Sequence, residues 1–204
     1  MKLQLALDVV DLKKALSIAN KTKKYIDIIE LGTPLIKQNG LGAIKKFKKF
    51  RKPIFADLKT MDTGAFEASL AFKAGASSVS VCAAAANETV KGLIKEAKKR
   101  KKQSVVDLIG VKDAVKRTKQ VLKHKPTYIG IHTGIDQQLK GCSVFENLEK
   151  ISKLTKNICV AGGINAKTVN KVLKYKPKII VIGGAITKSK NPGKTAKEIK
   201  ELIK

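Results

Sequence analysis

The sequence is poor in aromatic side chains and in arginine. Tryptophan is absent, aromatic residues make up 4% of the 204 positions, and Arg51, Arg100 and Arg117 are the only arginines among 43 basic residues. Bases of single-stranded nucleic acids stack on aromatic rings, and base edges are read well by the planar guanidinium group. A net charge of +27 is typical of nucleic-acid-binding proteins. Because these recognition groups are scarce, we expect non-specific binding of nucleic acid at most.

Cysteines and long apolar runs are also few. Cys82, Cys142 and Cys159 form no C-x-x-C pair, and their odd number argues against a disulfide framework or a zinc site. Cys82 and Cys159 lie in apolar runs, so we expect both in the core. No apolar run approaches the roughly 18–20 residues that a membrane helix needs, and the N-terminus does not resemble a signal peptide. We therefore expect no membrane segment and a cytoplasmic location.

The basic residues are densest in two runs, residues 45–52 and 98–102. Both runs fall where predicted helices end, and cations are favourable beside the negative end of a helix dipole. We interpret the lysine excess mainly as a charged surface coat. A phosphate-rich partner is the alternative.

Short apolar runs recur along the whole chain, separated by helical stripes such as the one at residues 90–97. Lys-Pro pairs at 52–53, 125–126 and 176–177 mark helix-to-strand junctions, where proline does least harm to a sheet. The predicted strands cover residues 3–7, 26–31, 53–56, 77–81, 104–108, 127–131, 157–161 and 178–182.

Eight apolar strands alternating with helices predict a parallel sheet closed into a single-domain (β/α)8 TIM barrel over residues 1–204. No linker or change of composition divides the chain. A doubly wound open sheet is the alternative. Residues 8–11, after the first strand, lack the G-x-G-x-x-G pattern of a dinucleotide site, which weakens that alternative.

Acids are scarce, yet five of the 16 lie in or just after apolar strands. Burying a carboxylate is costly unless it is paired or binds a metal. One explanation is a salt-bridge network around Lys59, and the other is a functional site at the barrel mouth, which we favour for the set. The five acids are Asp8, Glu30, Asp57, Asp62 and Asp107.

The spacing of these residues indicates their chemistry. Asp57 and Lys59 are two positions apart on an extended chain, so both side chains can face the same side. Lys59 could then stabilise an oxyanion, and Glu30 and Asp57 could supply oxygen ligands to Mg²⁺. A Schiff-base role for Lys59 is the alternative. His132, at the end of the sixth strand, is a candidate acid or base.

Two glycine pairs follow the last two strands, at Gly162-Gly163 and Gly183-Gly184. Phosphate sites in (β/α)8 barrels are commonly built by these two loops, because glycine lets backbone N–H groups approach closely. The sequence therefore predicts an enzyme that acts on a small phosphorylated substrate.

Five segments together resemble the 3-hexulose-6-phosphate synthase family of the orotidine-5′-phosphate decarboxylase superfamily. The resemblance extends over essentially the whole chain, although the D-x-K-x-x-D motif alone indicates only the superfamily. The segments are Leu5-Ala6-Leu7-Asp8, Glu30-Leu31-Gly32-Thr33-Pro34-Leu35-Ile36, Ala56-Asp57-Leu58-Lys59-Thr60-Met61-Asp62-Thr63-Gly64, His132-Thr133-Gly134-Ile135-Asp136-Gln137-Gln138 and Ala161-Gly162-Gly163-Ile164-Asn165.

The resemblance implies a reversible, Mg²⁺-dependent aldol reaction of formaldehyde with ribulose 5-phosphate, in which Mn²⁺ could substitute. It also implies a homodimer with shared active sites. The implied roles are Glu30 and Asp57 as metal ligands, Lys59 at the enediolate oxygen, Asp62 in the partner subunit's site, His132 at the C1 proton, Asp8 at the substrate, and Gly162, Gly163, Gly183 and Gly184 at the phosphate.

Two departures bear on specificity. The related 3-keto-L-gulonate-6-phosphate decarboxylases resemble this chain, but they carry arginines where this chain has Thr133 and Ile135, which favours the aldolase. Residues 83–87, after the fourth strand, are four alanines and one asparagine, with fewer functional groups than the resemblance implies. A nucleic-acid-binding barrel without turnover is the non-enzyme alternative.

Overall fold

The computed structural model describes residues 1–203 and contains a closed barrel of eight parallel strands, hydrogen-bonded in sequence order with β8 against β1. The predicted (β/α)8 barrel is therefore confirmed. The strands are β1 (Lys2–Leu7), β2 (Ile28–Leu31), β3 (Ile54–Thr60), β4 (Ser78–Cys82), β5 (Gln103–Asp107), β6 (Tyr128–His132), β7 (Ile158–Ala161) and β8 (Ile179–Ile182).

Helices follow the strands and cover the outside of the barrel. They are α1 (Leu12–Thr22), α2 (Thr33–Asn39), α3 (Ala43–Phe47), α4 (Gly64–Ala74), α5 (Asn87–Lys99), α6 (Ala114–Leu122), α7 (Ile135–Leu139), α8 (Phe145–Ser152), α9 (Val169–Leu173), α10 (Gly184–Thr187) and α11 (Pro192–Leu202), with a short 3₁₀ helix at Lys48–Phe50. Within residues 1–203, no helix has the length and apolar character needed to cross a membrane.

Residues of each strand alternate between two layers. One set packs outward against the helices in a large apolar core, as Leu3, Leu5 and Leu7 do. The other set points into the barrel, where a smaller cluster including Phe55 and Val181 fills the bottom. This alternation carries polar residues at the carboxyl ends of the strands into the space above the inner cluster.

Strand β3 departs from the predicted boundary. The sequence predicts an end at Ala56, but the strand continues to Thr60. Its pairing with β4 jumps from Ala56–Val79 to Thr60–Val81, so residues 57–59 face Ser80 alone. We call residues 57–59 the β3 bulge. Within it Lys59 has φ 48°, in the left-handed region that side chains other than glycine rarely adopt.

The helix-to-strand junctions at the amino end of the barrel are rich in lysine, as predicted from the basic runs. Four basic residues adopt positive φ here, namely Arg51, Lys101, Lys125 and Lys176. At the end of α5, Lys101 donates its N–H to Lys98 and Lys102 donates to Ala97, the hydrogen bonds of a Schellman cap. Lysine thus occupies a position where helices usually place glycine.

The cysteine prediction is confirmed for the two strand residues. Cys82 and Cys159 are buried, whereas Cys142 is exposed, and all three are free thiols. Burial raises the pKa of Cys82 to about 11 and that of Cys159 well above its ordinary value. Both buried thiols are therefore neutral core groups rather than reactive thiolates.

Candidate active site

A cavity of about 1210 Å³ opens at the carboxyl end of the barrel. Its walls come from the ends of the strands and the loops that follow them, which is where (β/α)8 enzymes carry their chemistry. Nine of the ten residues that were given individual roles from the sequence line it: Asp8, Glu30, Asp57, Lys59, His132, Gly162, Gly163, Gly183 and Gly184.

The centre of the cavity is a charged pair in the β3 bulge. The Lys59 Nζ is paired with Oδ2 of Asp57 and lies 3.9 Å from Oδ2 of Asp107. Asp57 is 5% exposed, and its Oδ1 accepts a hydrogen bond from the Ser80 hydroxyl at 2.7 Å. The Thr33 hydroxyl lies 3.1 Å from its Oδ2. The prediction that Asp57 and Lys59 face the same side is confirmed.

The environment keeps Lys59 positively charged. Burial by itself would lower the pKa of the Lys59 ammonium, but the charges of Asp57 and Asp107 outweigh that effect and raise the pKa above its ordinary value. Lys59 is therefore a fixed cation at neutral pH. A cation held in a partly desolvated cavity can stabilise negative charge that develops on a neighbouring oxygen.

Glu30 lies on the neighbouring strand and is almost completely buried. Its Oε2 accepts a hydrogen bond of 2.6 Å from Nε2 of Gln4. Burial, followed by the charge of Asp57, raises the pKa of Glu30 well above its ordinary value. Two carboxylates thus repel one another at the cavity wall, and a bound cation would relieve that repulsion.

His132 is held by Asp107, which the sequence analysis placed among the five strand-end acids without giving it a role of its own. The Nδ1 of His132 lies 3.0 Å from Oδ2 of Asp107, whose Oδ1 accepts a hydrogen bond from the N–H of Ile109. An ionised Asp107 accepts the proton on Nδ1, which leaves Nε2 as the nitrogen free to exchange a proton. Asp107 therefore links His132 to Lys59 across the cavity.

Asp8 stands at the mouth of the cavity beside two glycines. A Cβ atom at Gly32 would overlap Oδ1 of Asp8, and one at Gly183 would lie 3.4 Å from Oδ2. Burial, followed by the charge of Asp57, raises the pKa of Asp8 above its ordinary value. Because neither glycine has a Cβ atom, there is room beside them for the Asp8 side chain.

The glycine pairs lie after β7 and β8, as predicted. Gly162 has φ 114° and Gly163 has φ 66°, and a Cβ at Gly162 would lie 2.5 Å from the carbonyl oxygen of Thr133. Gly183 and Gly184 form the turn into α10. Backbone groups of both turns therefore border the cavity without side chains in the way.

Asp62 is the predicted site residue that the fold of this chain does not bring to the cavity. It is exposed in the turn after β3, where its Oδ1 accepts a hydrogen bond from the N–H of Thr63 at 2.7 Å. Three apolar side chains in the same segment are exposed, namely Met61 (55%), Phe66 (64%) and Leu70 (38%).

Sequence reasoning missed several residues that line the cavity. Ser80 and Thr33 act through contacts with the β3 bulge, and Lys14 and Lys188 add positive charge to the lining. Asp107 was recognisable as an acid at a strand end, but its partner lies 25 residues away. No local pattern marked Lys14 or Lys188 among so many lysines.

The described residues fit a divalent cation held by few protein ligands. Residues 1–203 contain no group of three or more His, Cys, Asp or Glu side chains arranged to hold a metal ion. Glu30 and Asp57 supply two buried carboxylates on neighbouring strands. Mg²⁺ typically keeps several waters and binds only one or two carboxylates, so this donor set suits it.

Comparisons with known proteins agree with the geometry. Residues 1–199 match the family described as "Orotidine 5'-phosphate decarboxylase / HUMPS family". The 3-hexulose-6-phosphate synthase of Bacillus subtilis (strain 168) is 40% identical over 207 residues, covering 100% of this chain and 99% of the relative. A crystal structure of 3-hexulose-6-phosphate synthase superposes with a TM-score of 0.96 at 42% identity, with complete coverage of both chains. A crystal structure of KGPDC from Streptococcus mutans gives a TM-score of 0.92 at 26% identity, covering 99% of this chain and 96% of that one.

The barrel, its charged cavity and these similarities define a lyase of the (β/α)8 class. Within the orotidine 5'-phosphate decarboxylase / HUMPS family, the chain belongs to the 3-hexulose-6-phosphate synthases, enzymes of the aldehyde-lyase kind.

Proposed function

We propose that the protein condenses formaldehyde with D-ribulose 5-phosphate to give D-arabino-hex-3-ulose 6-phosphate, reversibly. The observation that carries this proposal is the position of the Lys59 ammonium between Asp57 and Asp107, with His132 on the same Asp107 carboxylate. A base and a fixed cation in one cavity are the groups needed to remove a proton beside a carbonyl.

The reaction begins at C1 of the sugar phosphate. Nε2 of His132 accepts a C1 proton, and negative charge moves onto the adjacent carbonyl oxygen, where the Lys59 ammonium stabilises it. C1 then attacks the carbonyl carbon of formaldehyde, so that one C–H bond is replaced by one C–C bond. The proton held by His132 passes to the new alkoxide oxygen.

Glu30 and Asp57 would hold Mg²⁺, with Mn²⁺ as a possible substitute. When bound, the metal supplies Lewis-acid stabilisation of the substrate oxygens. Asp57 is fixed for this role by a hydrogen bond from Ser80 to its carboxylate and one from Thr33 to its backbone carbonyl, and Glu30 is fixed by a hydrogen bond from Gln4. The protein side chains thus orient both carboxylates before any ligand arrives.

The remaining contacts are assigned to the sugar phosphate. Asp8, at the mouth, would bind a substrate hydroxyl, and the backbone of the glycine pairs would bind the phosphate. The positive charges of Lys14 and Lys188 in the same lining favour an anionic ligand.

A homodimer with shared active sites is part of the proposal. The exposed apolar side chains of Met61, Phe66 and Leu70 lie in the same segment of the chain as Asp62, and a group of exposed apolar side chains often marks an interface. A second copy of the chain would cover them and receive Asp62 in its cavity. Sedimentation of the wild type and of Phe66→Glu would test this, with the variant expected to shift to monomer. The expected cytoplasmic location stays a prediction.

A decarboxylase acting on 3-keto-L-gulonate 6-phosphate is the second candidate. Identity to KGPDC from Streptococcus mutans is 26%, against 42% to a 3-hexulose-6-phosphate synthase structure. Thr133 and Ile135 stand where the resemblance to the decarboxylases would place arginines. Both observations favour the aldolase. A Schiff-base mechanism is disfavoured because Lys59 stays protonated.

The proposal is tested by following formaldehyde consumption with ribulose 5-phosphate, with Mg²⁺, with Mn²⁺ and after exhaustive treatment with EDTA. We expect turnover with either metal and its loss in EDTA. Decarboxylation of 3-keto-L-gulonate 6-phosphate is measured in parallel and should be far slower. Faster decarboxylation would support the second candidate, and full activity in EDTA would remove the metal from the mechanism.

A further inference from the structure

The β3 bulge places two functional side chains on consecutive inward positions, but it interrupts the sheet. In a regular ladder each backbone N–H and C=O of residues 57–59 would bond to a neighbouring strand. The jump in pairing with β4 leaves these groups without ladder partners on that side. Buried backbone groups that stay unpaired are costly, so other groups must satisfy them.

Side chains from β4 and from the first turn of α2 satisfy backbone groups of the bulge instead. The Thr33 hydroxyl donates to the carbonyl oxygen of Asp57 at 2.7 Å, and the Lys59 N–H donates to Oγ of Ser80 at 2.9 Å. The Cys82 thiol lies 3.5 Å from the carbonyl oxygen of Lys59. The bulge is therefore held by side chains rather than by the sheet.

Ser80 differs from the other two because its hydroxyl contacts both functional residues. Its Oγ accepts from the Lys59 backbone and donates to Oδ1 of Asp57 at 2.7 Å. The residue is 0% exposed at the cavity wall, and its hydroxyl is engaged with these two neighbours, so its contribution acts through them. One hydroxyl thus fixes the backbone of the cation and the carboxylate beside it.

The backbone conformation of Lys59 increases the need for such support. Its φ of 48° lies in the left-handed region, which costs a lysine free energy that surrounding contacts must offset. Without the Ser80 hydrogen bond, the bulge has fewer restraints and can relax toward a regular strand. Relaxation would turn the Lys59 side chain away from its present position between Asp57 and Asp107.

We propose that Ser80 is a positioning residue that holds the β3 bulge, so that the Asp57 carboxylate and the Lys59 ammonium are oriented together into the cavity. The inference rests on the proposed function for its kinetic readout. Loss of the Ser80 hydroxyl should also weaken cation binding, because Asp57 fits a metal ligand and Ser80 fixes its Oδ1.

The experiment compares Ser80→Ala with Ser78→Ala, Ser80→Thr and Ser80→Cys. Ser78 is a matched control, since it is a buried serine two positions earlier on the same strand and its hydroxyl makes no hydrogen bond with the bulge. Threonine keeps the hydroxyl, and cysteine keeps the size of serine with a much weaker hydrogen-bonding group.

We expect Ser80→Ala and Ser80→Cys to lower kcat by roughly 10- to 100-fold, with KM for ribulose 5-phosphate changed less than about threefold, as a small misplacement of catalytic groups predicts. Ser80→Thr should restore most of kcat, and Ser78→Ala should match the wild type. Mn²⁺ affinity, measured from free Mn²⁺ by electron paramagnetic resonance, should fall in Ser80→Ala and not in Ser78→Ala.

The outcomes separate the two proposals. If the wild type does not turn over ribulose 5-phosphate and formaldehyde, the proposed function fails, and Mn²⁺ binding alone decides the role of Ser80. If the wild type is active and Ser80→Ala matches Ser78→Ala in kcat and Mn²⁺ affinity, Ser80 has no positioning role. If Ser80→Ala does not fold, the contrast between Ser80→Thr and Ser80→Cys decides in the same way.

Discussion

At the carboxyl end of the barrel, acids surround one half-buried lysine, Lys59, whereas the amino end carries lysine and arginine with few acids nearby. Every described junction into β2 to β8, except the one before β4, contains at least two basic residues, and Asp27 is the only acid among them. Helix C-termini meet this end, and cations there are favourable without a specific partner. The strong positive charge of the chain is thus largely separate from its chemistry.

The two ends also use unusual backbone geometry differently. At the carboxyl end, left-handed Lys59 is held by hydrogen bonds that orient its side chain into a cavity. At the amino end, Lys101 adopts the same conformation in an ordinary helix cap, and its side chain is exposed. The left-handed conformation therefore orients a functional side chain at Lys59, whereas at Lys101 it only lowers stability and could be relieved by substitution.

The largest difference between the ends should appear on removing a lysine charge. We expect Lys59→Met to lower kcat for formaldehyde consumption by about 10²- to 10³-fold, because a fixed cation at the developing negative charge is lost. Lys101→Met, at the amino end, should leave kcat within about twofold of the wild type, since no catalytic contact is removed. Equal effects of the two substitutions would show that the charge of Lys59 has no special role in turnover.

At the carboxyl end, an acid inside the cavity should matter more for kcat than an acid outside it. Asp107→Asn should lower kcat by about 10- to 100-fold, because an amide does not fix His132 in the tautomer with Nε2 free. Asp113→Asn is the control, since Asp113 caps α6 through the N–H of Lys116 and lies outside the cavity. Steady-state kinetics with Asp107→Asn as active as the control would show that Asp107 does not act on His132.

Much of this arrangement was readable from the sequence, because the fold depends on repeated local patterns. Eight apolar runs gave the eight strands, and the spacing of Asp57 and Lys59 gave their shared side. The β3 bulge was not predictable, because the groups that hold it, including Ser80, come from other strands. The contact of Asp107 with His132 is equally non-local. Asp62 could be placed in a loop but not in a cavity, since the fold of this chain leaves it exposed outside the cavity.

At the amino end, removing backbone strain should change stability and not activity. Lys101→Gly should raise the free energy of unfolding by about 0.5–1 kcal/mol, because glycine adopts positive φ without a steric penalty. Lys102→Gly is the control, since Lys102 does not have positive φ and should gain nothing. Urea denaturation measures both, and a gain in Lys102→Gly equal to that in Lys101→Gly would contradict the strain argument.

The smallest effect concerns the single acid of the amino-end junctions. Oδ2 of Asp27 accepts hydrogen bonds from Nζ of Lys200 at 2.6 Å and from the N–H of Leu3 at 2.7 Å. Burial alone would raise the pKa of Asp27, but these two hydrogen bonds outweigh it and lower the pKa. A lowered pKa stabilises the fold above the ordinary aspartate value of about 3.9, and this stabilisation is lost as the pH falls through the folded value.

Asp27→Asn should therefore lower the free energy of unfolding by about 0.5–1 kcal/mol at pH 7, a small value because the side chain is one-third exposed. The difference from the wild type should shrink below about pH 4. Denaturation curves at pH 7, 5 and 3 measure it. A difference that persists unchanged at pH 3 would mean that the carboxylate charge is not its source.

The four left-handed basic residues have a consequence for how this sequence can change. Arg51, Lys101, Lys125 and Lys176 lie at four separate junctions, and each caps its own helix through its own hydrogen bond. Substitutions at separate sites without shared partners usually contribute additively. Glycine substitutions at these four positions should therefore each add stability independently, far from the cavity. The added stability could offset destabilising substitutions in the cavity that alter substrate preference.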